Sequence, residues 1–65
     1  MGKYLIKFKD IYKDNRLEFA YGNNEQEAIF DLVFYLQSIN NSVDEISSIN
    51  FYSTTESKNI RLMTI

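Results

Sequence analysis

Two pairs of carboxylates are the side chains in this chain whose spacing could do chemistry: Glu27 with Asp31, and the adjacent Asp44 and Glu45. Paired carboxylates can serve as general acid and base, or can hold a hard cation. Neither pair has the spacing of a calcium-binding loop. Glu27 and Asp31 fall near the start of a predicted helix, where the helix dipole favours acidic side chains with no reaction involved. The other reactive types are missing. The chain has no His to move protons and no Cys to act as a nucleophile or soft metal ligand. Gly2 and Gly22 are its only glycines, so it has no glycine-rich phosphate loop. A Ser, Tyr or Lys nucleophile needs an activating neighbour, and no motif supplies one. The chain is therefore expected to be no enzyme, and to use no cofactor or metal.

What the fold must position, then, is surface. The 65 residues make a single domain, 1–65. A chain of this length buries only about 60% of the surface its unfolded form exposes. Without Cys there are no disulfides to help, so stability must come from a core rich in Ile and Phe, or from association. The apolar runs are too short to span a membrane, and no signal-peptide pattern opens the sequence, so the expected location is cytoplasmic.

Charge is unevenly placed. Residues 1–21 carry Lys3, Lys7, Lys9, Lys13 and Arg16 against Asp10, Asp14 and Glu18. Residues 22–57 carry Glu25, Glu27, Asp31, Asp44, Glu45 and Glu56, with no Lys or Arg among them. Net charge is −2, but the molecule is expected to be electrically two-sided.

Residues 3–9 alternate, with Tyr4, Ile6 and Phe8 on one side and Lys3, Leu5, Lys7 and Lys9 on the other, the period of a half-buried strand. Residues 16–22 repeat the pattern, with Leu17, Phe19 and Tyr21 expected inward and Arg16, Glu18 and Ala20 outward. Asp14-Asn15 fits a two-residue hairpin turn. Asp10 falls in the apolar phase of the first strand, which points to a bulge that turns Ile11 inward or to pairing that runs past the core.

Asn24 followed by Glu27 fits a capped helix start. The helix is expected to run to Ser38 or Ile39 and to end in a left-handed residue at Asn40-Asn41. With Asp44-Glu45 as loop, residues 46–55 read as a third strand, 55–59 as a turn and 59–65 as a fourth strand. The expected fold is α+β, in the order β-β-α-β-β. Its antiparallel sheet, ordered 2-1-3-4, has the helix on one face.

At about 100° per residue, Ala28, Ile29, Leu32, Val33, Leu36 and Ile39 form one stripe wide enough to cover the sheet. Phe34 then points away from it, with Phe30 beside it at i, i+4 spacing. Glu27 and Asp31 flank the two rings and Tyr35 lies at the edge. An exposed aromatic pair on so small a domain suggests a contact surface. A second candidate is the open face of the sheet, where Lys3, Lys7, Lys9 and Arg16 are expected with Leu5. Asn50 and Tyr52, or Arg61 and Met63, join them according to strand phase. Basic side chains interleaved with an aromatic suit single-stranded nucleic acid, although the domain as a whole is acidic.

In size, charge and composition the chain resembles the small acidic inhibitors of phages and mobile elements, anti-CRISPR proteins among them. The resemblance implies inhibition by docking on a larger protein, and its members share no motif from which a residue role could be transferred. Three expectations follow. The first is a protein-binding module using Glu27, Phe30, Asp31, Phe34 and Tyr35 against a basic partner, without membrane contact. The second is nucleic-acid binding through Lys3, Lys7, Lys9, Arg16 and Tyr52. The third is a homodimer that buries Phe34 against its twin.

Overall fold

The computed structural model describes residues 1–54. Strand β1 (Gly2–Asp10) is followed by β2 (Asn15–Gly22), helix α1 (Glu25–Gln37) and β3 (Val43–Thr54). The fold is α+β, with one helix and a three-stranded antiparallel sheet ordered β2-β1-β3. The predicted turn at 55–59 and fourth strand at 59–65 lie outside the described residues.

The alternation of β1 is realised as expected. Tyr4, Ile6 and Phe8 are buried and meet Ala28, Leu32 and Leu36 from α1, with Ala20 completing the core. From β3, Val43, Ile46 and Ile49 pack against its edge. The small side chains of Ala20 and Ala28 let α1 approach β2 closely. Gly22 shows how closely: a Cβ there would lie 2.6 Å from the backbone nitrogen of Ala28.

The helix starts as its sequence dictates. Asn24 Oδ1 accepts the Glu27 N–H at 2.9 Å, and Glu27 Oε1 accepts the Asn23 N–H at 2.9 Å. The first contact satisfies a donor that the helix start leaves free, and the second ties the residue before the cap to the first turn. At the far end Asn40 has φ 58°, and the Asn41 N–H donates to Leu36 O at 2.9 Å. The helix therefore stops at Gln37, and Ile39 leaves the core-facing stripe to become exposed.

Strand β2 differs from expectation in phase. Asp14-Asn15 is not a two-residue turn. The hairpin closes on Asp10 and Asp14 through three residues, Ile11, Tyr12 and Lys13, with Lys13 left-handed at φ 66°. A two-residue turn would have paired Lys13 with Arg16 and Phe8 with Tyr21. The longer turn pairs Phe8 with Arg16 and Leu5 with Phe19. Changing the register by an odd step exchanges the two faces of a strand. Leu17, Phe19 and Tyr21 thus share the open face with Lys3, Leu5 and Lys7, while Arg16, Glu18 and Ala20 face the helix side.

Asp10 brings a second correction. Ile11 is not turned inward but is exposed, and Asp10 itself is fully buried. Its Oδ1 accepts the N–H groups of Tyr12 at 2.9 Å and Asp14 at 3.0 Å. Its Oδ2 accepts from Asn41 Nδ2 at 2.9 Å, with Arg16 Nη1 at 3.6 Å. The turn needs an acceptor at this position, and a carboxylate supplies enough lone pairs for every donor around it.

Strand β3 starts three residues before its predicted beginning, so Asp44 and Glu45 lie in the strand and not in a loop. Its pairing with β1 shifts at Lys3/Tyr4, Lys7/Phe8 and Lys9/Asp10. Each shift leaves one extra residue on β3, namely Tyr52, Ser47 and Asp44 in turn. Asp44, extruded in this way, pairs with Lys13 Nζ at 2.8 Å.

Candidate functional site

Leu32, Leu36 and Ala28 point into the core, so the opposite side of α1 must face solvent. That side carries Phe30, 64% exposed, and Phe34, 77% exposed. Tyr35, 48% exposed, sits on the side of the helix toward β2. The aromatic pair is therefore surplus to the core of the protomer, and burying it would remove far more apolar surface than a single stray side chain.

The two acids of the predicted site are also structural. Glu27 closes the helix start, as described above. Asp31 Oδ2 accepts the N–H of Tyr21 from the outer edge of β2 at 3.0 Å, tying helix to strand. Neither acid takes part in an ion pair among the described residues, and both stand beside the aromatic rings. Two open grooves flank Asp31. One, of about 570 Å³, is bordered by Gly22, Glu27, Phe30, Val33 and Phe34. The other, of about 470 Å³, is bordered by Glu18, Phe19, Phe34, Tyr35 and Ser38. Phe34 stands between them. All five predicted residues, Glu27, Phe30, Asp31, Phe34 and Tyr35, are thus brought onto one continuous surface.

The second predicted set is only partly assembled. Lys3, Lys7 and Lys9 lie on the open sheet face, and Asn50 and Tyr52 join them there, while Arg61 and Met63 lie outside the described residues. Arg16 is not there. The register that pairs it with Phe8 places it on the helix side, where Nη2 meets Glu18 Oε2 at 2.9 Å. That contact first, with Asp10 nearby, raises the guanidinium above its ordinary range. In place of Arg16 the open face gains Phe19, a residue that the sequence pattern assigned to the core. Phe19 and Tyr52 pack edge-on with centroids 5.0 Å apart. The ammonium of Lys3 lies 4.6 Å from the first ring and 5.2 Å from the second. Contacts of this kind contribute about 0.5–1 kcal/mol at exposed positions.

Asp10 is the residue whose prominence the sequence pattern concealed. The Asn41 side chain, then the Asp14 and Tyr12 N–H groups and Arg16, hold its carboxyl below the ordinary range against the opposing effect of burial. Two hydrogen bonds to Oδ1, one to Oδ2 and the Arg16 guanidinium at 3.6 Å surround the carboxylate, which holds the turn closed. Among the described residues no three acidic side chains gather so as to hold a metal ion, and no helix is long and apolar enough to cross a membrane. Comparison with known proteins gave no matching family model, curated protein or solved structure.

Proposed function

We propose that the chain is a non-enzymatic protein-binding module, an inhibitor or adaptor. It docks the outer face of α1 on a basic surface of a larger protein. The observation that carries this is the exposure of Phe30 and Phe34 on a helix whose other side already covers the sheet. Exposed aromatics of this kind are the usual anchors of interfaces. Charge defines the partner. Helix α1 carries Glu25, Glu27 and Asp31 and no basic residue, so a basic surface is attracted and an acidic one repelled.

The test is affinity recovery with the purified wild-type chain, Phe34→Asp and Lys7→Glu, followed by binding of the purified recovered protein. A partner lost with Phe34→Asp, kept with Lys7→Glu and weakened by salt supports the proposal. A partner recovered equally by all three overturns it. Truncating a hot-spot aromatic costs about 2 kcal/mol or more, so Phe34→Ala should weaken the complex roughly thirtyfold.

A second reading is favoured by one specific arrangement, the Lys3 ammonium lodged against Phe19 and Tyr52 with Lys7 and Lys9 along the same strand. It would take single-stranded nucleic acid by stacking and phosphate attraction. Three lysine–phosphate contacts would give a slope of log affinity against log salt of about −2. A flat salt response, or binding unchanged by Lys7→Glu, excludes it.

A further inference from the structure

The outer edge of β2 presents backbone groups that no strand among the described residues takes up. Asp10 donates its N–H to Asp14 O at 3.0 Å, which fixes the alternation of the hairpin. Every second pair from that point, Phe8 with Arg16, Ile6 with Glu18 and Tyr4 with Ala20, exchanges hydrogen bonds. Asn15, Leu17, Phe19 and Tyr21 must then turn their N–H and C=O groups away from β1. The N–H of Tyr21, accepted by Asp31, confirms the direction. Among the described residues Leu17 and Phe19 have no such cap, and their side chains are 61% and 45% exposed. An edge with free backbone groups and apolar side chains is a template for another strand.

We propose that this edge pairs antiparallel with the same edge of a second copy, in the register that sets Leu17 opposite Leu17 of its twin. Charge selects both the occupant and the register. Pairing centred on Arg16 or on Glu18 opposes like charges across the axis. Pairing centred on Phe19 brings in Tyr21, whose N–H is already taken by Asp31. Pairing centred on Leu17 sets Arg16 opposite Glu18 of the second copy, twice by symmetry, and stops short of Tyr21. The existing Arg16–Glu18 contact at 2.9 Å becomes part of a ring of four alternating charges. The sheets of the two copies, three strands each among the described residues, become one continuous sheet with a two-fold axis, a closed arrangement in which both copies use the same patch. Phe34 shares a groove with Glu18 and Phe19 of this edge, whereas Phe30 borders only the other groove, so Phe30 is the position that separates this proposal from the docking proposal.

The absence of native Cys makes single-cysteine variants clean reporters. Directly opposed residues that exchange hydrogen bonds have Cα atoms about 5.5 Å apart, within the disulfide range of roughly 4.4–6.8 Å. Under mild oxidation Leu17→Cys should convert to a covalent dimer at least ten times faster than Phe19→Cys. Sedimentation of the wild-type chain over a hundredfold dilution series should show a dimer that dissociates at the low end, and Glu18→Arg should weaken it at least tenfold. Circular dichroism confirms that each variant is folded. A wild-type chain that is monomeric throughout overturns the proposal, as does faster cross-linking at position 19. Dimers abolished by Phe30→Asp, a position away from the groove that Glu18 and Phe19 border, would place the contact on α1 instead, and would overturn it equally.

Discussion

Asn41→Ala should cost far more than the loss of one surface amide, because Asn41 is what holds the buried charge of Asp10. The substitution removes the Nδ2–H bond to Asp10 Oδ2 at 2.9 Å and the acceptor for the Ser42 N–H at 2.8 Å. Asp10 Oδ2 is left with Arg16 at 3.6 Å, too long for a strong hydrogen bond. A hydrogen bond to a charged group contributes about 1.5–3 kcal/mol net. Domains of this size shift their melting temperature by about 4–8 °C per kcal/mol, so a loss of roughly 10–20 °C is expected. The pH dependence follows from the direction in which Asp10 is held. A carboxyl held below its ordinary value stabilises the fold fully above the unfolded value near 3.8, and that stabilisation is lost as pH falls through the lower folded value. The gap between wild type and Asn41→Ala should therefore stay constant from neutral pH down to about pH 5 and narrow below the unfolded value. Thermal melts followed by circular dichroism at pH 7, 5 and 2.5 measure it. A variant that melts within 2 °C of wild type at pH 7, or a gap unchanged at pH 2.5, would refute the reasoning.

Gly22→Ala should destabilise by about 1–3 kcal/mol, the usual cost of overpacking, since its Cβ meets backbone atoms of α1 rather than a side chain that can swing away; urea titration reads this as a lower midpoint. Lys13→Gly should stabilise by about 0.5–1 kcal/mol by relieving a left-handed residue. The exposed pair it gives up with Asp44 is worth little, and salt titration of the wild-type melt should show a correspondingly small shift.

The alternation of β1 and the capped start of α1 were legible because each obeys a local rule carried by consecutive residues. Periodicity also sufficed to bring Phe30 and Phe34 to the outer side of the helix, since Ala28, Leu32 and Leu36 fix its rotation. The faces of β2 were not legible. Leu17, Phe19 and Tyr21 look like a core stripe, but the length of the preceding turn decides which side they take. That length depends on Asp10 serving as a buried acceptor for two turn amides and for Asn41, which is distant in sequence. Arg16 was misplaced for the same reason, and Phe19 was overlooked as part of the open face. The phase of β3 was hidden by its three extra residues, because each bulge resets the alternation from which a face is read.

Whether the outer side of α1 is a protein-docking surface is measured by site-specific photocross-linking. With a photoreactive phenylalanine analogue at position 34, and a control at position 7, irradiation of the chain in a cell lysate should give a discrete protein adduct from position 34 alone. The adduct should disappear when Phe30→Asp is added to a chain that remains folded. Position 34 giving no adduct, while position 7 cross-links to nucleic acid, would contradict the account and move the binding surface to the other side of the sheet.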